Sequence, residues 1–513
     1  MNMDRAEINM PGEKIRQYGK WILWILYGII TLTLIFYHEN WQDELHAWVM
    51  ARELSFTQII HAMRYDGHFA LWHFLLRPFA GSSFPLVTLN LLSFLLCFSA
   101  AGIFIFYGRL SLWVKFFVLG SCACMYYFPV VARPYAMLGL VLCMNCSLYP
   151  VRFKRPVLYA CSILLILYIH SYLAGLAGIL GLLFILECLK HFRRYPGRKR
   201  YCSVLVFLIL FCGALCAFLM VFPCVGASSV VPGTFAELFR KDLGGGIWRC
   251  VSGGIFRFHA LELMEHCSLK AGALLYWGTI GTALAVFVFF RRALAAVIWC
   301  CAVFWMILMS VLIYPMLMHR AYLPFLLLVY LGCLLPLRKN RGVNRVRIGR
   351  VVLGIVLCLL SAMTFPDTWR MTKMDFLHPF SNQEIMAYYI KNNVPAESRI
   401  ITFPADLISS TLTAYLPDHH FYSCRTNQRY RVYTRKEKIP ANLNDALLHY
   451  YAKSGEKVFY LLFCRSMIPF YRITPQKLAS FRDFSLELLF YTDPPAFFPA
   501  GEDYLLFKVT AKE

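Results

Sequence analysis

The segment WILWILYGIITLTLIFYHENWQDELHAW, residues 21–48, joins an uncharged apolar run to an acidic pair. A helix that crosses about 30 Å of hydrocarbon needs roughly 20 apolar residues, because every backbone polar group must be hydrogen-bonded within its own segment. The run at 21–37 approaches that length without a charge, and Asp43 and Glu44 follow it closely. The segment therefore predicts a membrane-spanning helix with two carboxylates just beyond its end.

The composition extends this interpretation to the whole chain. Hydrophobic residues make up 59% of the 513 residues and charged residues only 15%, whereas soluble domains contain about 45–50% apolar and about 25% charged residues. Eleven apolar runs predict a polytopic α-helical membrane protein of about eleven transmembrane helices. The runs cover residues 21–37, 85–107, 116–131, 136–148, 157–169, 172–189, 202–225, 271–290, 293–314, 322–337 and 351–365.

Basic residues near helix ends predict the orientation, because Lys and Arg are retained on the cytoplasmic side. With residues 1–20 inside, the predicted inner segments hold 23 of the 51 Lys and Arg residues. They include KHFRRYPGRKR at 190–200 and RKNRGVNRVRIGR at 338–350. The first loop, at 38–84, and the tail, at 366–513, then face outward.

The formal charge of +23 lies mostly in these short clusters beside helix ends. Anionic lipid headgroups and topology explain such clusters, so we expect no nucleic-acid partner. The first apolar run is too long for the h-region of a signal peptide and lacks a small-residue cleavage site. We therefore expect it to be retained as a membrane anchor.

The composition changes once, near residue 365, which separates a transmembrane domain at 21–365 from the outward tail. The tail holds 18 of the 51 Lys and Arg residues and no run long enough to span a bilayer. Its short apolar runs alternate with helical patterns, which predicts a small C-terminal extracytoplasmic α/β domain. The predicted strands cover 399–403, 457–463, 486–491 and 504–509, and a predicted helix covers 382–393.

Most of the nineteen Cys residues lie inside apolar runs, where a thiol behaves as a small hydrophobe. Two outward pairs are exceptions: Cys250 with Cys267 in one long loop, and Cys424 with Cys464 in the tail. Either pair could form a disulfide in an oxidising compartment. Spacing leaves disulfides and free thiols equally open.

The first outer loop predicts two short helices, at 42–54 and 57–63. Apolar residues at helical spacing form a stripe along the second of them. The stripe consists of Phe56, Ile59, Ile60 and Met63. We expect both helices to lie flat on the membrane surface and to hold polar side chains over a cavity.

Asp43 and Glu44 are adjacent, so on a helix they diverge by about 100° and only one can point squarely into a cleft. His46 lies three residues after Asp43, on the same face. A carboxylate at this boundary can accept the proton of an incoming hydroxyl or bind a divalent cation. Helix capping is the alternative, since acidic residues are common in the first turn of a helix.

Other side chains of the first loop offer related chemistry. Asp66 precedes Gly67 and is most simply a turn residue, although it could complete a metal or acceptor site with Asp43. The available ligand types suit Mg²⁺, Mn²⁺ or Zn²⁺ but show no diagnostic spacing, so a divalent cofactor stays open. The candidate ligands are Asp43, Glu44, His46, Asp66 and His68.

Five motifs together resemble the GT-C superfamily of membrane glycosyltransferases. They are WQDELHAW at 41–48, RYDGHFALWHFLLR at 64–77, ARPYAM at 132–137, HSYLAG at 170–175 and MHRAYLP at 318–324. This superfamily includes the protein mannosyltransferases and the bacterial aminoarabinose-lipid transferases, which use polyprenyl-phosphate sugars. The resemblance covers the chain from about residue 20 to residue 365, and the tail matches a soluble domain that many members carry.

The resemblance implies a GT-C-like fold and transfer of one sugar, with inversion, from a polyprenyl-phosphate donor to an extracytoplasmic lipid, glycan or protein. It also implies a bacterial inner (plasma) membrane location with a cytoplasmic N-terminus. The implied catalytic carboxylate is Asp43 or, as a second choice, Glu44. Members usually carry a proline-rich segment after a His where this chain has GHFALW at 67–72, which leaves the role of His68 open.

The implied reaction needs a base for the acceptor hydroxyl and cations or donors for the departing phosphate. Arg133, His170 and Arg320 fall at predicted outward helix ends, and Arg binds phosphate as a planar fork. Snorkelling to the interface is the alternative for the arginines, and a simple interfacial position is the alternative for His170. Tyr135 and Tyr172 are either packing residues or sugar contacts.

Two functions of other classes fit the same pattern. A flippase or transporter for lipid-linked sugars would place polar residues along a path at mid-membrane depth, whereas here they gather on one side. A non-catalytic envelope assembly protein would use the tail as a binding module and leave the acidic pair idle.

Overall fold

The structure is a computed structural model, and it has a helical bundle followed by a small sheet domain. The described residues are 11–81, 84–192, 198–222, 244–245, 269–290, 292–313, 318–334, 343–403, 410–423, 426–433, 443–464, 483–497 and 502–512. Cys250, Cys267 and Cys424 lie outside the described residues, so both disulfide predictions stay predictions.

Sixteen helices precede the sheet domain in the described part of the chain. They are α1 Pro11–Tyr37, α2 Gln42–Glu53, α3 Phe56–Asp66, α4 Leu71–Ala80, α5 Thr88–Tyr107, α6 Leu112–Gly120, α7 Ala136–Leu148, α8 Pro156–Ile169, α9 Ala174–Phe192, α10 Arg198–Val221, α11 Leu269–Phe289, α12 Ala293–Leu312, α13 Met318–Ala321, α14 Leu323–Leu334, α15 Val343–Ala362 and α16 Phe365–Leu377.

Within the described residues, six helical stretches are long and apolar enough to cross a membrane. They are Lys14–Tyr37, Thr88–Tyr107, Ser171–Lys190, Tyr201–Val221, Ala293–Leu312 and Arg347–Leu377. Shorter apolar helices also occur, at Ala136–Val151, Pro156–Ile169, Leu275–Phe289 and Leu323–Leu334. The polytopic helical fold is therefore confirmed, whereas the number of about eleven spans stays a prediction.

The predicted span at 116–131 is wrong as one continuous helix. Helix α6 ends at Gly120, Ser121 is extended, and a short π-helix follows at Ala123–Tyr127. Side chains satisfy the backbone groups that the break exposes: the Ser121 hydroxyl donates to the Val118 carbonyl, and the Cys122 N–H donates to the Thr364 hydroxyl at 3.1 Å. Irregular backbone is stable at membrane depth when the protein itself supplies such partners.

Helices α15 and α16 meet close to residue 365. Helix α15 ends at Ala362, and α16 begins at Phe365 with a proline in its first turn, where a missing N–H costs little. Buried Asp367 of α16 accepts a hydrogen bond from the Tyr322 hydroxyl at 3.0 Å. Because α16 also packs against α1, the segment after the predicted boundary is tied to the bundle.

The sheet domain confirms the predicted small α/β tail. Its strands are β1 Arg399–Phe403, β2 His420–Ser423, β3 Val458–Cys464, β4 Phe484–Tyr491 and β5 Tyr504–Ala511, in the order β2-β1-β3-β5-β4. Strand β1 pairs in parallel with β2 and β3, while β5 pairs antiparallel with β3 and β4. The domain's helices are α17 Gln383–Asn393 and α18 Leu443–Ser454.

Strand β2 begins within PDHH at 417–420, where the sequence predicts that His419 and His420 form a solvated turn. His420 begins the strand, and His419 is buried with its Nε2 3.2 Å from the Val394 carbonyl oxygen. The prediction fails because four residues are too short to show a strand pattern, and pairing with β1 supplies the missing stabilisation.

The first loop contains both predicted helices, α2 and α3, and a third helix, α4. Helix α3 begins after Ser55, whose hydroxyl accepts the Gln58 N–H, and ends at Gly67 with φ of 69°. A left-handed residue at this position closes the helix and suits glycine. The reversal between α3 and α4 carries Asp66 and His68 on either side of Gly67.

Candidate active site

Asp43 lies in the first turn of α2 and forms an ion pair with Arg133. Its Oδ2 is 2.8 Å from the Arg133 Nη1, and the Arg133 guanidinium carbon lies 5.3 Å from the centre of the Trp41 ring. The Arg133 side chain is 8% exposed and that of Asp43 is 19% exposed. Two residues that the sequence places 90 positions apart are thus in contact, with the carboxylate as the more accessible partner.

Glu44 points away from Asp43 into the protein and has no exposed surface. One of its oxygens accepts the Trp41 N–H at 3.0 Å, which helps to cap α2, and the other accepts the Ala132 N–H at 2.5 Å. Residue 132 immediately precedes Arg133, so Glu44 fixes the backbone that presents the guanidinium to Asp43. We infer that Glu44 positions the site, whereas Asp43 is the carboxylate that can meet a substrate.

His38 connects Glu44 to a second buried carboxylate. Its Nε2–H donates to Glu44 at 3.1 Å, and its Nδ1–H donates to Asp375 of α16 at 3.2 Å. Burial alone would lower the pKa of His38, but the charges of Asp375 and Glu44 outweigh burial and raise the pKa to about 10. An imidazolium held between two carboxylates therefore joins α2 to α16.

A contact between a histidine of α2 and a carboxylate of α3 links these two helices. The His46 Nε2 lies 3.2 Å from the Asp66 Oδ2, and both side chains are buried. Buried His73 of α4 lies beside this pair: burial, with a smaller effect from His46, lowers the pKa of His73 to about 4. The pairing makes Asp66 a partner of His46 rather than a simple turn residue.

Aromatic contacts assemble the remaining predicted residues around His170. Its ring lies 4.9 Å from His68 and stacks on Tyr135 at 5.0 Å, measured between ring centres. Tyr172 lies 5.3 Å from His170, and the buried Arg320 guanidinium carbon lies 5.5 Å from the Tyr172 ring centre. The motifs at residues 64–77, 132–137, 170–175 and 318–324 therefore meet at one end of the bundle.

The tail domain contacts α2 through Glu502. Its Oε1 accepts the backbone N–H of Gln42, the first residue of α2, at 2.8 Å, and its Oε2 accepts from Ser381 and Gln383. Burial raises the pKa of Glu502 to about 7, and the charge of Asp43 adds to this effect. A carboxylate of the tail thus caps the helix that carries Asp43.

The candidate metal ligands do not gather into a metal site in the described part of the chain. Within it, no three His, Cys, Asp or Glu residues are grouped so that they could hold an ion. Asp43 and Glu44 instead contact Arg133 and His38, and His46 contacts Asp66. A divalent cofactor stays a prediction.

Sequence reasoning missed four residues of this region: His38, His73, Asp375 and Glu502. His38 stands five residues before Asp43 in HENWQDE, so its charge and proximity offered a signal. Asp375 and Glu502 lie 337 and 460 positions from their partners, and no local pattern marks them. Only the tertiary structure brings them to α2.

The arrangement combines a partly exposed carboxylate, a buried guanidinium beside it, and histidine, tyrosine and arginine side chains nearby. A carboxylate can accept a proton, while guanidinium and imidazole groups can bind an anion. The site therefore has the groups needed for general-base catalysis next to an anionic leaving group.

Comparison with known proteins shows a fold relationship alone. No protein-family model matches the chain, and no curated protein sequence matches it. A crystal structure of ArnT from Cupriavidus metallidurans in the apo state matches with a TM-score of 0.51 and 11% sequence identity. The match covers 95% of this chain and 97% of that chain. The chain thus shares the overall fold of that protein.

Proposed function

We propose that this protein is an inverting glycosyltransferase that takes one sugar from a polyprenyl-phosphate donor and attaches it to an extracytoplasmic lipid, glycan or protein. The observation that carries the proposal is the Asp43–Arg133 ion pair of 2.8 Å, which sets a proton acceptor beside a phosphate ligand. The fold shared with ArnT supports the proposal, since GT-C enzymes provide a precedent for this architecture.

Asp43 acts as the general base in the proposed reaction. The acceptor hydroxyl oxygen attacks the anomeric carbon from the face opposite the phosphate, and its proton passes to the Asp43 carboxylate. The bond between the anomeric carbon and the phosphate oxygen breaks, and the phosphate leaves with the bonding electrons. Attack from the opposite face inverts the anomeric carbon.

Arg133 binds the phosphate as its negative charge develops, and Arg320 and His170 contribute further positive charge or hydrogen bonds. All three side chains are buried, so water competes little for them and their interactions with an anion are strong. His68 and Tyr135, which contact the His170 ring, hold that ring in place and offer surfaces to a sugar.

The tail domain lies on the acceptor side in this proposal. Glu502 connects it to the first turn of α2, next to Asp43, so an acceptor held by the tail would reach the carboxylate. The arrangement suits an enzyme of a bacterial inner membrane with a cytoplasmic N-terminus, as the basic residues at the opposite helix ends indicate.

The test compares the unmutated chain with Asp43→Asn in lipid nanodiscs. Each protein is given polyprenyl-phosphate-linked hexose, pentose or aminoarabinose together with envelope lipids, glycans and proteins, and released polyprenyl phosphate is measured. We expect Asp43→Asn to lose at least 100-fold in rate, the lower range for a general base. Asp418→Asn, which changes an exposed carboxylate of the tail, is the matched control and should retain full activity.

Undiminished transfer by Asp43→Asn would remove Asp43 from catalysis. If the unmutated protein transfers no sugar from any of these donors but moves a labelled donor between the leaflets of a liposome, the protein is a flippase. If it does neither, the assembly role replaces the enzymatic one.

A further inference from the structure

An apolar cavity begins at the end of the bundle opposite the candidate active site and extends as far as Phe128 and Leu138. It has a volume of about 480 Å³, and helices α5, α7 and α14 supply most of its walls. Hydrocarbon and small side chains form these walls, among them Leu138, Leu142, Leu326 and Val329. Arg109, Arg152 and Arg292 line one end.

Ring contacts between α1 and α5 show which end this is. Trp24 stacks on Phe98 at 4.4 Å, and Trp21 lies 4.6 Å from Phe106, measured between ring centres. The first half of α1 therefore faces the second half of α5, so the two helices are antiparallel. Arg109, which follows α5, lies near the start of α1 and away from Asp43.

The cavity walls are unsuited to ordered water. Apolar cavities stay dry because a buried water needs two to four polar partners. A cavity of this size also costs free energy when nothing fills it, because the side chains around it lose van der Waals contacts. A hydrocarbon chain from the surrounding bilayer supplies those contacts, and the exposed residues Tyr107 and Ser147 at the edge of the cavity give it a way in.

The arginine end of the cavity favours an anion. None of the described lining residues is acidic, and Arg152 is held by Glu187 at 2.7 Å and by the Tyr149 ring, with its guanidinium carbon 4.1 Å from the ring centre. The Glu187 carboxylate engages Nε and Nη2 of Arg152, and Nη1 donates to the Tyr149 carbonyl. Exposed Arg109, in the connection between α5 and α6, and Arg292 line the same end of the cavity. Guanidinium groups bind phosphate oxygens as a planar fork.

We propose that the cavity binds one acyl chain of an anionic glycerophospholipid, whose phosphate lies against Arg109 and Arg292. This site is separate from the proposed donor site, because a donor bound here would hold its sugar at the opposite end of the bundle from Asp43. The bound chain supports α7, whose first turn follows Tyr135 of the candidate active site. The proposal stands independently of the proposed function.

The test measures the melting temperature of the delipidated full-length protein against increasing phosphatidylglycerol or phosphatidylcholine. We expect phosphatidylglycerol to raise the melting temperature at lower concentration than phosphatidylcholine. Arg109→Gln should weaken the apparent affinity for phosphatidylglycerol about fivefold, the effect of one basic residue at an anionic membrane surface. Arg155→Gln, at an exposed arginine of the same face that does not line the cavity, should change it little.

A second variant keeps the test decisive if Arg109→Gln does not fold. Ser147→Trp puts a large ring at the exposed edge of the cavity and should reduce stabilisation by both lipids. Equal responses to the two lipids, or equal effects of Arg109→Gln and Arg155→Gln, would overturn the proposal. Tighter binding of polyprenyl phosphate than of phosphatidylglycerol, lost in Arg109→Gln, would also overturn it by making the cavity a second donor site.

Discussion

Replacement of His38 with Gln should destabilise the protein and abolish a pH dependence of its stability. The imidazolium is held between Glu44 and Asp375, at 3.1 and 3.2 Å, and all three side chains are buried. A glutamine keeps part of the hydrogen-bonding capacity but carries no charge. Two buried carboxylates would then lie near each other without the cation that compensates them.

Two arguments give the size of the expected loss in the free energy of unfolding. A pKa raised from 6.5 to about 10 corresponds, at about 1.36 kcal/mol for each pKa unit, to about 5 kcal/mol at pH values below 6.5. Removing one member of a buried ion pair costs about 3–5 kcal/mol by mutational precedent. Both values are a substantial part of the 5–15 kcal/mol by which typical domains are stable.

The sign of the pH dependence follows from the raised pKa. The folded protein holds the His38 proton more tightly than the unfolded chain, so the stabilisation is complete below pH 6.5 and declines as the pH rises toward 10. We expect the melting temperature of the unmutated protein to fall over this window. The His38→Gln variant should melt lower at pH 6 and change less between pH 6 and pH 10.

Differential scanning fluorimetry of the detergent-solubilised protein across this pH range makes the measurement. His61→Gln, which changes an exposed histidine of α3, is the matched control and should follow the unmutated protein. Equal melting of His38→Gln and the unmutated protein at pH 6 would refute the reasoning. Equal slopes above pH 6.5 would show that another group causes the pH dependence.

Three further changes test the surroundings of α2. Glu502→Gln should cost about 1–3 kcal/mol by weakening the cap on α2, and it should remove a loss of stability between pH 4.5 and pH 7, because the raised pKa of Glu502 favours the folded state at low pH. Melting curves at pH 5 and pH 7.5 check this, with exposed Glu487→Gln as the control. Arg133→Lys should weaken binding of a polyprenyl-phosphate donor about tenfold, whereas Asp43→Asn should bind it at least as tightly as the unmutated protein; titration with a fluorescent donor decides both. Gly67→Ala should cost about 1–2 kcal/mol because its φ of 69° disfavours any residue with a Cβ, and an unchanged melting temperature would contradict this.

Local patterns in the sequence predict a large part of this fold. Strand β1 lies at the predicted residues 399–403, and helix α17 differs from its predicted range by one residue. Short apolar runs identify strands in the tail, because the central strands β1 and β3 are buried along most of their length. Long uncharged runs identify membrane helices for the same reason, since burial against lipid or protein is nearly continuous along them.

Interactions between distant segments account for what the sequence does not reveal. The break after Gly120 depends on Thr364, which accepts the freed N–H of Cys122 from 242 residues away. The charge on His38 depends on Glu44, six residues away, and on Asp375, which is 337 residues away. Local periodicity carries no information about such contacts, because either partner alone is an ordinary residue of its own segment.

The acidic pair shows how geometry separates two residues that the sequence treats almost alike. A helix turns by about 100° for each residue, so the direction that exposes Asp43 to the cleft buries Glu44. Glu44 then holds the backbone before Arg133, and Arg133 returns to contact Asp43. Both carboxylates therefore position Arg133. Glu44 accepts the N–H of the preceding residue, and Asp43 contacts the guanidinium.

In the proposed reaction, the Asp43 carboxylate and the donor phosphate compete for the guanidinium of Arg133. The guanidinium that forms an ion pair with Asp43 is also the ligand proposed for the donor phosphate, and a phosphate offers oxygens that match its fork. An arriving phosphate must draw Arg133 toward itself, which releases the carboxylate to the acceptor hydroxyl. Asp43→Asn removes the competitor and Arg133→Lys removes the fork, so the two variants should change donor affinity in different directions. The base thus becomes available only after the leaving group is bound, which protects the activated sugar from attack by water before the acceptor arrives.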